Sequence, residues 1–216
     1  MHAPYDAVLF DLLTGLLDSW SLWNSVASDE TKGRKWRDAY LRRTYATGAY
    51  RPYEELVGDA ASEIGLPREL AATLACRYSE LRPWPEVREV LTVLRENLPL
   101  GVVTNCSDDL AFRAAACTGI KFDILVSAER AGFYKPDPHP YRLALDELGL
   151  GANRCLFVAG SPYDLVGTAR VGLPTYWHNR LGLALPRDAA PPMAQGSSLA
   201  PLVEIALGNG RRTAVH

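Results

Sequence analysis

Short apolar runs recur along the chain at spacings that suit buried strands joined by helices. YDAVLF (5–10), LGVVTN (100–105), FDILVS (122–127), CLFVAG (155–160) and LPTYWH (173–178) are rich in strand formers and lack polar alternation, the pattern of strands covered on both faces. Helical patterns separate the later runs, at 107–118, 138–149 and 162–171. They open near Ser107, Pro138 and Ser161 and stop at Gly119, Gly149 and Gly172. Strand, helix, strand in this rhythm predicts an α/β fold: a Rossmann-like parallel sheet with right-handed crossovers.

After the first run the rhythm breaks for some eighty residues, roughly 17–97. WRDAYLRRTY, YEELVGDAASEIG, RELAATLACRYSEL and EVREVLTVLREN read as four helices, with turns at 48–52, 65–67 and 83–85. The last suits a crossover of the sheet, and the first three suit a helical cap inserted after the first strand. The expected division is a core of residues 1–16 and 84–216 and a cap of residues 17–83. Residues 182–198 mix Gly, Pro, Ala and Ser without period and read as a surface loop. A short helix at 199–207 and a frayed RRTAVH tail are expected after it.

Composition narrows the classes. The 216 residues, 48% apolar and 22% charged, describe a globular chain of one α/β domain with an insertion. The net charge of −2 lacks the basic excess of nucleic-acid binders, so no such partner is expected. No apolar stretch reaches the ~20 residues of a membrane span. Cys76, Cys106, Cys117 and Cys155 are widely spaced and no charged-then-apolar leader opens the chain, so a reduced cytoplasmic protein is the expectation.

In a doubly wound sheet, ligands bind at the carboxyl ends of the strands. Those ends carry Asp11, Thr104 with Asn105, the segment before Lys135, and Gly160 with Ser161, followed by Asp164. By position alone Asp11 could be a turn residue. A carboxylate gathered with a lysine, an amide and a second carboxylate reads instead as an ionised group held for chemistry. Cys106 has no nearby histidine and reads as a small buried hydrophobe. Trp20, Trp23, Tyr50 and Tyr53 read mainly as core, His139 and His178 as structural or solvated, and ETKGRKWRD as a solvated helix face.

FDLLTGLLD (10–18), VVTNCS (102–107), GFYKPDPHPY (132–141) and LFVAGSPYDLVGTARVGLPTYWHNR (156–180) resemble, in order, the four motifs of the haloacid dehalogenase superfamily, in particular its 2-haloacid dehalogenase branch. The resemblance spans nearly the whole chain. It implies a Rossmann-like core with a helical cap, Asp11 as covalent nucleophile, and Lys135 as the lysine paired with it. It matches Asp164 to the carboxylate that orients the lysine and the water, and Tyr141 to the tyrosine following the lysine. Thr104 and Asn105 match the pair that polarises the substrate carboxylate and lines the leaving-group pocket. Arg37 matches a cap arginine that reaches the substrate; as a residue beside Arg34 and Lys35 it could equally be solvated. Leu13, Ser161 and Tyr163 complete the expected substrate contacts. The implied partner is a small carboxylate, with no cofactor and no metal, and an apolar cap surface could support a homodimer.

Phosphatases of the superfamily carry a second aspartate two residues after the nucleophile to protonate the departing alkoxide. Here that position is Leu13, which cannot be a general acid. A halide needs no proton to leave, so attack of Asp11 at C2 of a 2-substituted carboxylate, then ester hydrolysis, suits these residues. The sequence also departs from the dehalogenase branch: Leu13, Thr14 and Gly15 replace Tyr-Gly-Thr, and Ala159 and Ser161 replace Ser and Asn. Ring opening of azetidine-2-carboxylate, known in the same branch, is the alternative chemistry. A catalytically idle binding module is the reading from another class, and the presence of Asp11, Lys135 and Asp164 argues against it.

Overall fold

The computed structural model describes residues 3–208, and the tail from 209 on, including RRTAVH, lies outside them. Six parallel strands form one sheet in the order β3-β2-β1-β4-β5-β6. They are β1 (Ala7–Phe10), β2 (Leu100–Thr104), β3 (Ile124–Ser127), β4 (Cys155–Ala159), β5 (Thr175–His178) and β6 (Ala194–Gly196). Strands β1, β2, β4 and β5 are buried along their whole length, which is why their sequences are continuous apolar runs rather than alternating ones. The chain steps from β1 outward to β2 and β3, then back across to β4. That reversal opens a crevice at the carboxyl end of β1.

Helices α5 (Val87–Arg95), α6 (Asp108–Ala116), α7 (Ala128–Ala131), α8 (Pro138–Leu148), α9 (Asp164–Val171) and α10 (Leu202–Leu207) flank the sheet. Asp137 caps α8 by accepting from the His139 amide at 2.9 Å, with Pro138 in its first turn. Gly149 and Gly172 end α8 and α9 in the left-handed conformation that favours glycine.

Between β1 and β2 stand α1 (Ser19–Val26), α2 (Glu30–Thr47), α3 (Tyr53–Glu63) and α4 (Leu70–Cys76). Their aromatic faces interlock: Trp23 lies edge-on to Trp36 at 4.7 Å between ring centres and 5.3 Å from Tyr40. The chain leaves and rejoins the core side by side. Leu17 bridges Pro83, the Asp18 amide donates to the Arg82 carbonyl at 2.8 Å, and the Trp84 amide donates to the Leu16 carbonyl at 3.0 Å. This segment reaches the end of β2 through the Tyr40 hydroxyl, 2.6 Å from the Asn105 carbonyl, and the loop after α7 through a bridge between Ala49 and Phe133.

Two elements differ from the sequence reading. Helix α1 was not legible in SWSLWNSV, whose serines interrupt any apolar period; Asp18 starts it by accepting from the Ser21 amide at 3.1 Å. Residues 182–198 are not all loop, since Ala194–Gly196 pairs with Tyr176, Trp177 and His178 as the edge strand β6. Three residues exposed on one side carry no apolar signature, and backbone pairing alone makes the strand.

Candidate active site

Asp11 follows the last residue of β1 and its amide continues the sheet, donating to the Val158 carbonyl at 2.9 Å. Its carboxylate is 5% exposed, so every oxygen must find a partner inside. Oδ2 accepts three bonds: from the Thr14 amide at 3.1 Å, the Thr14 hydroxyl at 2.6 Å and the Gly15 amide at 3.0 Å. Oδ1 accepts from Lys135 Nζ at 2.8 Å. The amides are available because the chain turns sharply here, with the end of β4 pressed against the turn. A Cβ at Gly160 would stand 2.1 Å from the Gly15 nitrogen, so only glycine fits.

Lys135 bridges the two carboxylates, 2.8 Å from Asp11 Oδ1 and 2.9 Å from Asp164 Oδ1. Asp164, the first residue of α9, also accepts from the Tyr141 hydroxyl at 3.1 Å and the Ser161 amide at 3.3 Å. Tyr141 comes this close because α8 packs directly on Gly167 of α9, where a Cβ would lie 2.5 Å from the ring. Asn105 holds the lysine's backbone at both ends: the Lys135 amide donates to Oδ1 at 2.7 Å and Nδ2 donates to the Lys135 carbonyl at 3.0 Å.

Burial and charge pull the two carboxyls apart. Burial by itself raises Asp11, but the Lys135 charge and the bonds from Lys135, Thr14 and Gly15 prevail and hold it below the usual carboxylate range. Burial also raises Asp164, the neighbouring Asp11 charge adds to it, and Lys135 does not cancel them, so Asp164 stays above that range. Burial lowers Lys135, yet the charges of Asp11 and Asp164 outweigh it and keep the ammonium protonated. The same lysine thus favours the ionised form of Asp11 more than that of Asp164. The thiol of Cys106 is pushed up to about 12 by burial, which removes it as a nucleophile at neutral pH.

Asp11, Lys135, Asp164, Leu13, Arg37, Asn105, Ser161 and Tyr163 all border one cavity of about 30 Å³. Thr104 and Tyr141 do not. Thr104 is fully buried with Cys106 Sγ at 3.8 Å, and Tyr141 stands behind Asp164. The cavity roof is α2, which contributes Arg37, Tyr40, Leu41, Thr44 and Tyr45 at helical spacing. Arg37 is 3% exposed, unlike its neighbours Arg34 and Lys35, and lies over the Trp20 ring at 4.5 Å. Its Nε and Nη1 are buried without a hydrogen-bond partner. Thr14 and Tyr40 are the residues sequence reasoning missed. A threonine and a glycine three and four positions after a strand-end aspartate were the available signal for the first.

Site and topology together define an α/β protein with a buried carboxylate paired with a lysine at the carboxyl end of β1. A family model described as haloacid dehalogenase-like hydrolase matches residues 5–172. An (S)-2-haloacid dehalogenase of Pseudomonas sp. (strain YL) is 30% identical, over 92% of this chain and 93% of its own. Haloacetate dehalogenase H-2 of Moraxella sp. (strain B) is 28% identical, over 83% of this chain and 88% of its own. The crystal structure of an L-2-haloacid dehalogenase superposes with a TM-score of 0.82 at 29% identity, covering 94% of this chain and 98% of that one. The chain belongs to the haloacid dehalogenase-like hydrolases. Among the described residues no helix is long and apolar enough to cross a membrane.

Proposed function

We propose that this chain is a metal-independent hydrolase of small 2-substituted carboxylates, acting as an (S)-2-haloacid dehalogenase through an ester on Asp11. The observation that carries this reading is the unequal treatment of the two Asp11 oxygens. Oδ2 is saturated by three donors, whereas Oδ1 has only Lys135 and keeps a lone pair for attack. That lone pair bonds to C2 as the carbon–halogen bond breaks and the halide departs with its electrons, inverting C2. Leu13 lies where an acid would be required for a poorer leaving group. Arg37, with two unpartnered nitrogens to offer, binds anionic groups of the substrate in the roof.

In the second step water adds to the ester's carboxyl carbon and gives a proton to Asp164, whose raised pKa suits it as base. The carbonyl electrons move onto Oδ2, where the Thr14 and Gly15 donors hold the oxyanion. Collapse expels the 2-hydroxy acid oxygen, which takes the proton held on Asp164 by way of Lys135, and the Asp11 carboxyl releases the water's second proton to solvent to become a carboxylate again. Residues 17–83 act in this reading as a cap that brings Arg37 over the nucleophile.

The test is a single turnover of (S)-2-chloropropionate in heavy-oxygen water with enzyme in excess. The product should carry oxygen from the protein, and label should then appear on the Asp11 peptide. An unlabelled peptide after chloride release would overturn the mechanism. Azetidine-2-carboxylate and p-nitrophenyl phosphate with magnesium, run in parallel, separate ring opening and phosphoryl transfer from dehalogenation.

A further inference from the structure

The amide of Gly15 that reaches Asp11 belongs to the Thr14–Gly15 peptide, and the other end of that peptide is also held. The indole N–H of Trp84 donates to the Thr14 carbonyl at 3.0 Å. In a planar trans peptide the carbonyl and the amide point in opposite directions, so a bond to one fixes the aim of the other. The next peptide is held as well. His178 Nδ1 lies 2.8 Å from the Gly15 carbonyl, and the Arg180 Nε–H donates to His178 Nε2 at 3.3 Å. An acceptor at Nε2 leaves the proton on Nδ1, the tautomer that donates to Gly15.

These side chains come from outside the nucleophile turn and lock one another. Trp84 precedes α5 and His178 ends β5. Their rings meet edge-on at 6.4 Å between centres, and the Arg180 guanidinium lies 4.8 Å over the indole while bonding Glu86 Oε1. His178 is 1% exposed, too deep to meet substrate. Neither ring lines the cavity.

We propose that Trp84 and His178 are positioning residues that aim the Gly15 amide at Asp11 Oδ2, Trp84 through the peptide that carries it and His178 through the peptide that follows, and that their influence falls on hydrolysis of the aspartyl ester rather than on its formation. Resting on the reading above, the distinction follows from which oxygen reacts. Attack on C2 uses Oδ1, held by Lys135, and draws charge off Oδ2 as it becomes an ester carbonyl, so the aimed amide gives that step no help. Hydrolysis turns Oδ2 into an oxyanion, the point at which aimed amides matter most.

The experiment measures the chloride burst and the ester-bearing Asp11 peptide by rapid quench with (S)-2-chloropropionate, in the wild type and in Trp84→Phe, His178→Ala and His178→Asn. Trp84→Phe and His178→Ala should lower kcat about tenfold, comparable to weakening one oxyanion donor. The burst rate should be unchanged or faster, falling by no more than about twofold, and ester should accumulate in the steady state. His178→Asn keeps a donor and should recover most of the loss, which a purely packing role would not predict. Equal slowing of burst and turnover, or unchanged turnover in both Trp84→Phe and His178→Ala, would overturn the proposal. If Trp84→Phe does not fold, the His178 pair decides alone. A wild type that forms no ester with any 2-haloacid would instead overturn the functional reading itself.

Discussion

The sheet side of the cavity and its helical side both bury charge, but they balance it differently. Below, Asp11, Lys135 and Asp164 are joined by bonds of 2.8 and 2.9 Å, Thr14, Gly15 and Ser161 satisfy the other oxygen of each carboxylate, and Tyr141 adds a second bond to Asp164 Oδ1. Above, Arg37 is equally buried and has two nitrogens without a partner. The lower cluster is complete in itself, as a reacting centre must be if it is to keep one geometry through two chemical steps. The upper cation has no protein partner on those nitrogens, and the fold carries its desolvation cost; in the proposed function that opening is where the substrate's anionic group binds.

Removing the lower cation should have the largest effect on the fold. Lys135→Met leaves two buried carboxylates facing each other and should cost about 3–5 kcal/mol at neutral pH, with loss of turnover. The pH dependence has a definite sign. In the wild type the depressed Asp11 contributes stability above its unfolded pKa, lost as pH falls through the folded value. The raised Lys135 contributes stability below its unfolded pKa, lost as pH rises through the folded value. In the variant both carboxyls should be raised, so its deficit should shrink as pH falls toward the carboxylate range. Thermal unfolding at a series of pH values checks this, and a pH-independent deficit would show that the bridge is not what stabilises the site.

Arg37→Met should do the reverse. Turnover of 2-chloropropionate should fall by two orders of magnitude or more, while urea unfolding should show a gain of about 1–2 kcal/mol, because two unpaired buried donors are removed. A loss of stability would mean that Arg37 is structural and would remove the contrast between the two sides. Asp11→Asn should abolish turnover and leave the fold intact, since Lys135 retains Asp164; circular dichroism and chloride release measure the two halves of that statement.

The smallest effect concerns substrate length. A second chamber of about 220 Å³ adjoins the cavity over Asp11, shares Thr14, Arg37 and Ser161 with it, and is lined further by Trp20, Leu183 and Pro186. Each methylene added at C3 of a 2-chloroalkanoate should raise kcat/KM by up to about fourfold while the chamber fills. Ala184→Trp should erase that gain and leave chloroacetate unaffected, and an equal loss for all acids would make the chamber a passage only.

Much of this arrangement was legible in the sequence. Buried parallel strands leave uninterrupted apolar runs, so β1 to β5 and the strand-end positions of Asp11 and Asn105 could be placed from pattern alone, and the ordered motifs then singled out Lys135 and Asp164. Helix α1 and strand β6 could not, because a capped serine-rich turn and a three-residue edge carry no periodic signal. Arg37 sat in a charge-rich stretch, and nothing local distinguishes a solvated arginine from a buried one. Its environment comes from Trp20 on α1 and from the crossing of α2 over the sheet. Thr104 shows the converse, an expected contact that the packing of β2 turns away from the cavity.

The sequence by itself determined the order of strands β1 to β5 and which ionisable groups stand near their carboxyl ends, because both depend on local pattern and on side-chain chemistry. Only the tertiary structure decided how those groups are charged and aimed. Lys135 lies 124 residues from Asp11 along the chain, His178 lies 163 from Gly15, and Trp84 lies 70 from Thr14. Pairings over such distances arise from the packing of whole strands and helices, and the dielectric that sets a pKa exists only once that packing has excluded water.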